Sequence, residues 1–510
     1  MQRIIKKLNY WAQEKERVAV CVNGESMTYA EIEEKSNALA AYFIENLKVD
    51  KSPVGIYGDK ENEIIAVMFA ALKSGRPYMF LPSYYPQDRI ESILKVKMPE
   101  VIVALDGHGY DFGTFTMDAA DTAKVYKDYK GRVPSEDNYV SGDDIASIIF
   151  TSGSTGLPKG VKVAAKNIRA MVDWRNSVGN VYPENSTIVS VSPYSFSVHL
   201  TTVHLLMIDQ GVKICNIPKK DITDFPKLIK TVVDSDPYLL GGSPAFLEIL
   251  FKSDKFCGEN MKSLKYFSTG GEPLSGATAK ELKRRFPDPK VEIWNFYGAT
   301  ELAAGGVHCQ YTDDIIERDA VLPTGIPDIK ANARLVDENG NDVPDGEAGE
   351  LVISSDMVAL GYIDLPEKEK EVFFVDKDGR RGYRTHDIMR KERGLLYFVG
   401  RSDNIIKVGG NRVEAEEVER AVVSLEGVSK CIVVPAMRDN IAELMVAYVE
   451  LSGGRKGGLK DIVAIKNHVK SLLPHYMVPQ KIVFVDAIPR NNSNKADRAL
   501  LKRMASEDLQ

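Results

Sequence analysis

Two hydrophobic rhythms alternate from the N-terminus to about Asn295. Short apolar runs at Pro53 to Tyr57, Glu100 to Ala104, Ile145 to Phe150, Thr187 to Val191, Val212 to Ile217 and Val291 to Asn295 read as buried strands. Segments with helical spacing lie between them. Thr28-Tyr29-Ala30-Glu31 has the spacing of a capping box, and Ile32, Ala38, Ala41 and Phe43 continue it as a helix. After Glu63 the chain stays apolar to Leu72, which predicts a buried helix. Strands that alternate with helices build mostly parallel sheets, and ligands sit beyond the C-terminal ends of such strands.

After about Gln310 the rhythm changes. Ala333 to Val336 runs into the turn-rich Asp337-Glu338-Asn339-Gly340-Asn341-Asp342, and Gly349 to Ile353 follows, which predicts hairpins. Further on, Lys430 to Pro435 and Leu444 to Val449 read as strands, Ser452 to Gly458 as a flexible turn, and the chain from Lys460 as a helix.

Composition adds a few limits. At 510 residues the chain exceeds one core, since single cores stop growing at roughly 250 to 300 residues. Hydrophobic residues at 44% and charged ones at 27% suit a soluble globular protein. A net charge of -6 gives no basic footprint for nucleic acid. No apolar run reaches the ~20 residues of a membrane span, and Met1 to Leu8 is too short and too quickly polar for a secretory signal. Five scattered cysteines (Cys21, Cys215, Cys257, Cys309, Cys431) show no paired metal spacing and read as reduced thiols of a cytoplasmic protein.

The densest candidate chemistry is Phe150-Thr151-Ser152-Gly153-Ser154-Thr155-Gly156-Leu157-Pro158-Lys159-Gly160-Val161, directly after an apolar run. Its glycines let backbone N–H groups approach an anion, its hydroxyls add donors, and Lys159 adds a cation. The Walker pattern is excluded, because Lys159 lies between Pro158 and Gly160 rather than between Gly and Ser or Thr. Taken alone, the stretch reads equally as a phosphate loop or as a plain surface loop of turn formers.

Four later segments change that balance. With Asn295-Phe296-Tyr297-Gly298-Ala299-Thr300-Glu301, Tyr383-Arg384-Thr385-His386-Asp387, Gly400-Arg401-Ser402-Asp403-Asn404-Ile405-Ile406-Lys407 and Asn494-Lys495-Ala496-Asp497-Arg498, the loop resembles the ordered motifs of the acyl-adenylating superfamily. This superfamily comprises nonribosomal-peptide adenylation domains, acyl-CoA synthetases and luciferase-type enzymes. The resemblance runs from about residue 25 to the end and is strongest to stand-alone amino-acid adenylation enzymes of the D-alanine carrier-protein ligase type. It implies an α/β fold: a large N-terminal domain, residues 1–402, of two α/β sheet subdomains plus a small β-barrel, and a small mobile α+β C-terminal domain, residues 403–510.

The resemblance also implies roles. Thr151, Ser152, Gly153, Ser154, Thr155, Gly156 and Lys159 would hold phosphates of ATP. Thr300 would contact the α-phosphate and Glu301 would hold Mg²⁺, a hard cation that suits a carboxylate. Tyr297 would stack on adenine within the lining Asn295, Phe296 and Gly298. Asp387 and Arg401 would reach the ribose, and Asp403 would be the hinge. Lys495 would be catalytic, its ammonium spanning the incoming carboxylate and the α-phosphate in the transition state. Two positions depart from the family pattern: His386 and Asn494 stand where glycine is usual.

Nine positions match the family's acid pocket: Ser197, Val198, Thr201, Gly242, Phe267, Thr269, Phe296, Ala304 and Gly305. Ser197 stands where the family has the aspartate that anchors an α-ammonium. A buried ammonium without an anion is costly, so a conventionally held α-amino acid is disfavoured. The lining reads as neutral, with a wide floor at Ala304 and Gly305. It suits an aryl acid, a hydroxy or keto acid, a short acyl chain or a β-amino acid. His199 and His204 read as packing residues.

The expected function is ATP-dependent activation of a small carboxylic acid, then transfer to the pantetheine thiol of a discrete carrier protein. The alternatives are an acyl-CoA synthetase using coenzyme A and a non-catalytic nucleotide-binding scaffold. If the pocket reading is right, Ser197→Asp should gain ATP–pyrophosphate exchange with small α-amino acids, which an exchange panel measures; no gain would reject the ammonium-anchor argument.

Overall fold

Each apolar run forms a strand within three residues of its expected limits. The computed structural model describes all residues except 108, 110, 153–156, 180, 320, 329, 403, 404, 439, 440, 491–495 and 510. Thr28 caps the helix Tyr29–Asn46: its hydroxyl accepts from the Glu31 amide, and the Glu31 carboxylate takes the Thr28 amide at 2.7 Å. The apolar helix Glu63–Lys73 is buried along its length except at its first residue.

Two large sheets result. In the nine-stranded sheet the run Glu292–Gly298, Tyr266–Gly270, Leu239–Gly242, Thr187–Ser190, Lys213–Asn216, Val18–Val22 is parallel, with antiparallel strands at both ends. Cys21 and Cys215, far apart in sequence, face each other in this register. The seven-stranded sheet has a parallel centre of Ile145–Thr151, Tyr78–Pro82, Val54–Gly58, Val101–Ala104 and Phe115–Met117, and Lys159–Ala164 pairs antiparallel with Ile145–Thr151. One apolar core joins both sheets through the helices between them.

The hairpin-rich region forms a five-stranded antiparallel sheet built on the long strand Arg381–Glu392, which pairs with Ala348–Ser354, Phe373–Val375 and Leu395–Arg401. Register shifts after Glu350 and Ile388 bend it. Beyond it, Val428–Arg438, Ile441–Leu451 and Lys481–Phe484 make a three-stranded sheet flanked by the helices Ala415–Val423, Leu459–Leu472 and Arg498–Glu507. This small α+β unit has its own core around Val418, Val433, Met445 and Val469. Among the described residues no helix is long and apolar enough to cross a membrane.

A short hairpin, Ile405–Val408 with Asn411–Glu414, stands out from the small unit. Ile406, Val408 and Val413 anchor it in that unit's core. Alternation then puts Lys407, Arg412 and Glu414 on its other face. One buried ion pair between the small unit and the large one is that of Arg89 and Glu417 at 2.5 Å.

Candidate functional site

The charged face of that hairpin meets the ends of strands from both large sheets. Glu301 lies in the turn Thr300–Leu302 that follows the strand Glu292–Gly298, and its side chain is fully buried. Ala303 and Ala304 both take left-handed backbone (φ 49 and 63) to complete the turn, a conformation costing roughly 1–2 kcal/mol per residue. Arg412 Nη1 lies 3.1 Å from each Glu301 carboxylate oxygen, and the Tyr362 hydroxyl donates to it at 2.9 Å. Burial raises the Glu301 pKa, but Arg412 and then Lys159 outweigh it and hold the carboxyl below the usual range.

Lys159 begins the strand that returns from the Gly/Ser/Thr loop. Its ammonium pairs with Glu414 at 2.7 Å, both side chains being buried. Burial and the nearby Arg412 lower its pKa against the pull of Glu414. Ser152, at the end of Ile145–Thr151, donates to the Arg412 carbonyl at 3.3 Å and accepts from the Glu414 amide at 3.2 Å. The Thr151 hydroxyl is buried without a partner. Gly153, Ser154, Thr155 and Gly156 lie outside the described residues, as do Asp403 and Lys495.

A third pair completes the set. Asp387, on Arg381–Glu392, accepts from Lys407 at 2.9 Å, from Arg401 on the adjacent strand, and from the Tyr297 hydroxyl at 2.5 Å. Burial raises its pKa, while Lys407 and Arg401 outweigh that and keep it ionised. Lys407 also sits 5.1 Å over the Tyr297 ring. Asn295 donates to the Thr324 carbonyl at 3.1 Å. His386, beside Asp387, takes φ 57, so the left-handed backbone is kept without the usual glycine. A cavity of about 430 Å³ opens here between the large and small units, lined among others by Glu272, Asn295, Tyr297, Arg401, Lys407 and Arg498.

The pocket positions are only partly brought together. Ser197 and the 38% exposed Val198 lead into a π-helix, Leu200–Asp209, that the apolar pattern does not reveal. Register places Phe267 and Thr269 on the sheet face of Ile293 and Asn295, opposite Phe296. Phe267 instead packs with Phe256 and Phe286 in a second core, and Thr269 bonds the Trp294 carbonyl at 3.1 Å. A Cβ at Gly242 would strike Phe246 at 2.6 Å. The wide floor expected at Ala304 and Gly305 is filled behind the glycine, where a Cβ would lie 2.6 Å from Met357 Sδ and 3.1 Å from the Trp174 ring. His199 and His204 pack in the core, their Nε2 atoms 2.9 and 3.0 Å from the Tyr78 hydroxyl.

Trp174 belongs to the helix Ala165–Ser177, which supplies one wall here: Met171 touches Thr201, Trp174 backs Gly305, and Arg175 lies over Phe296. Neither this wall nor the hairpin charges Arg412 and Glu414 enter the motif reading. Periodicity held a signal for both. Arg175 falls on the apolar stripe of Ile168, Met171 and Val172, and Arg412 and Glu414 flank the core residue Val413. Glu272, which accepts from the Gly410 amide at 2.5 Å, gave no comparable signal.

The chain matches two family models, the AMP-binding enzyme over residues 9–363 and the AMP-binding enzyme C-terminal domain over residues 417–495. It is 32% identical to a D-alanine–D-alanyl carrier protein ligase of Streptococcus agalactiae over 515 aligned residues, covering 99% of each chain. It is 31% identical to the ligase of that name from Lactiplantibacillus plantarum, covering 99% of this chain and 100% of the other. Among solved structures, an adenylation domain of Vibrio cholerae in complex with glycyl-adenosine-5'-phosphate aligns with a TM-score of 0.82 at 19% identity, over 99% of this chain and 98% of that one. An o-succinylbenzoate CoA synthetase of Bacillus subtilis aligns at 0.81 and 19%, over 98% of each. These two share the fold.

Burial pushes the Glu272 carboxyl up to about 7, above its ordinary 4.5. A carboxyl raised on folding gives stability that is present at low pH and is lost as pH climbs through its folded value. Relative to Glu272→Gln, the parent should therefore lose on the order of 3 kcal/mol of stability between pH 4.5 and 7. Urea unfolding of both proteins across that range checks this, and parallel profiles would reject it.

Proposed function

The chain belongs to the AMP-binding enzyme family, and from that premise we propose that it activates a small carboxylic acid with ATP and passes the acyl group to the pantetheine thiol of a discrete carrier protein. One observation carries the reading: a single hairpin places an opposite charge on Lys159, on Glu301 and on Asp387. Charges buried this deeply require partners. An ATP molecule would meet the same three groups with phosphates at Lys159, a metal ion at Glu301 and a ribose at Asp387.

In the first half-reaction the carboxylate oxygen bonds to the α-phosphorus, the bond from phosphorus to the bridging oxygen breaks, and pyrophosphate leaves with the electron pair. Lys159, Ser152 and Thr151 orient the outer phosphates, Thr300 faces the α-phosphate, and Lys495 holds the incoming carboxylate against it. Mg²⁺ held at Glu301 would supply neutralising charge to the phosphates. Glu301 and the unpartnered Thr151 hydroxyl suit such a load once Arg412 is withdrawn. Tyr297 stacks the base. In the second half-reaction a thiolate attacks the acyl carbon, the carbon–sulfur bond forms, the bond from that carbon to the phosphate oxygen breaks, and AMP leaves with the electron pair.

The arrangement described here fits the second step, with Arg412 and Glu414 standing where metal and phosphate would be neutralised. ATP enters only after the hairpin swings out with the small unit, residues 403–510, about Asp403, away from the body, residues 1–402. The D-alanine in the relatives' names is not carried over, because Ser197 offers no anion to an ammonium. The carrier protein is the favoured acceptor since the relatives named carrier protein ligases align over 99% of this chain.

The two steps should separate by mutation. Lys495→Ala should cut ATP–pyrophosphate exchange by about 100-fold or more, whereas Arg412→Ala should keep exchange within a few-fold and slow carrier loading by about tenfold. Loading of coenzyme A in place of holo-carrier would move the reading to an acyl-CoA synthetase. Exchange at background with every acid would reject catalysis.

A further inference from the structure

We propose that Arg175 is the anchor for a second anionic group on the acid substrate, which makes that substrate a small dicarboxylate. The inference rests on the proposed adenylating activity and on Thr201, Phe296 and Gly305 belonging to its acid pocket.

Placement is the first argument. Met171, Trp174 and Arg175 form one face of the helix Ala165–Ser177, and that face contacts all three pocket positions. The guanidinium carbon of Arg175 lies 3.2 Å from the centroid of the Phe296 ring.

Charge is the second. Arg175 is only 3% exposed, its Nε has no hydrogen-bond partner, and among the described residues no carboxylate pairs with it. The Tyr182 hydroxyl is its neutral neighbour, and the Phe296 face offsets part of the burial cost. A guanidinium stays protonated when buried, so the site carries an uncompensated positive charge. Four cations of the proposed nucleotide site are matched by contrast: Lys159 by Glu414, Arg412 by Glu301, and Lys407 and Arg401 by Asp387. His308, whose Nδ1 is also buried without a partner, packs 5.8 Å from Trp174 in the same cluster.

The third argument is complementarity. Ser197 removes the anion that would hold an ammonium, and Arg175 adds a cation on another wall of the same pocket, so the pocket's charge preference is reversed. A planar fork of N–H donors matches a carboxylate through two parallel hydrogen bonds.

The test is ATP–pyrophosphate exchange by the full chain with three- to six-carbon α,ω-dicarboxylates, their half-amides, matching monocarboxylates and α-amino acids. One dicarboxylate should exceed its half-amide in kcat/KM by on the order of 100-fold. Arg175→Met should collapse that ratio to about threefold or less, chiefly through KM, and Arg175→Lys should restore part of it. Preference for a half-amide, monocarboxylate or amino acid, or a ratio unchanged in Arg175→Met, would overturn the inference. Thermal unfolding with each acid, without nucleotide, is read in parallel on the parent and Arg175→Met. If no acid supports exchange, the ligase reading fails, while an unfolding midpoint raised by a dicarboxylate only when Arg175 is present still supports the anchor, and no such shift overturns it.

Discussion

The structure turns on the cost of burying the Glu301 carboxylate. Its side chain is fully buried, and its negative charge is tolerated because Arg412 and Tyr362 close on its oxygens. Arg412 arrives on a hairpin rooted in a different core, so the electrostatic balance of the large unit depends on where the small unit sits. Lys159 and Asp387 are satisfied from the same hairpin. The position of one unit against the other and the charge balance at Lys159, Glu301 and Asp387 are thus a single variable.

The proposed acid pocket obeys the same logic with one partner missing. Its walls come from the π-helix after Ser197, from the strand of Phe296 and from the helix of Trp174 and Arg175. Trp174 occupies the space that a glycine at 305 leaves, so small residues there admit a packing ring rather than a larger ligand. What distinguishes the proposed pocket is therefore charge more than volume: position 197 is a serine and position 175 an arginine.

Much of this could be read from residues alone. The capping box at Thr28, the buried helix after Glu63 and the strand before Thr151 follow from local pattern, and each forms as expected because burial periodicity and backbone geometry act over a few residues. The motif residues Tyr297, Glu301, Asp387, Arg401 and Lys159 also converge. The less successful cases are long-range. Phe267 and Phe296 lie on opposite faces of neighbouring strands because register, not spacing, decides which side chains share a wall.

Local order along the chain determined the α/β character, the family motifs and the identity of the charged groups, since these depend on residue type and short spacing. Only the tertiary structure decided the partner of each charge: Arg412 for Glu301, Glu414 for Lys159, and no carboxylate for Arg175 among the described residues. Pairing across a buried interface depends on which distant elements are packed together, and no periodicity in a single segment encodes that.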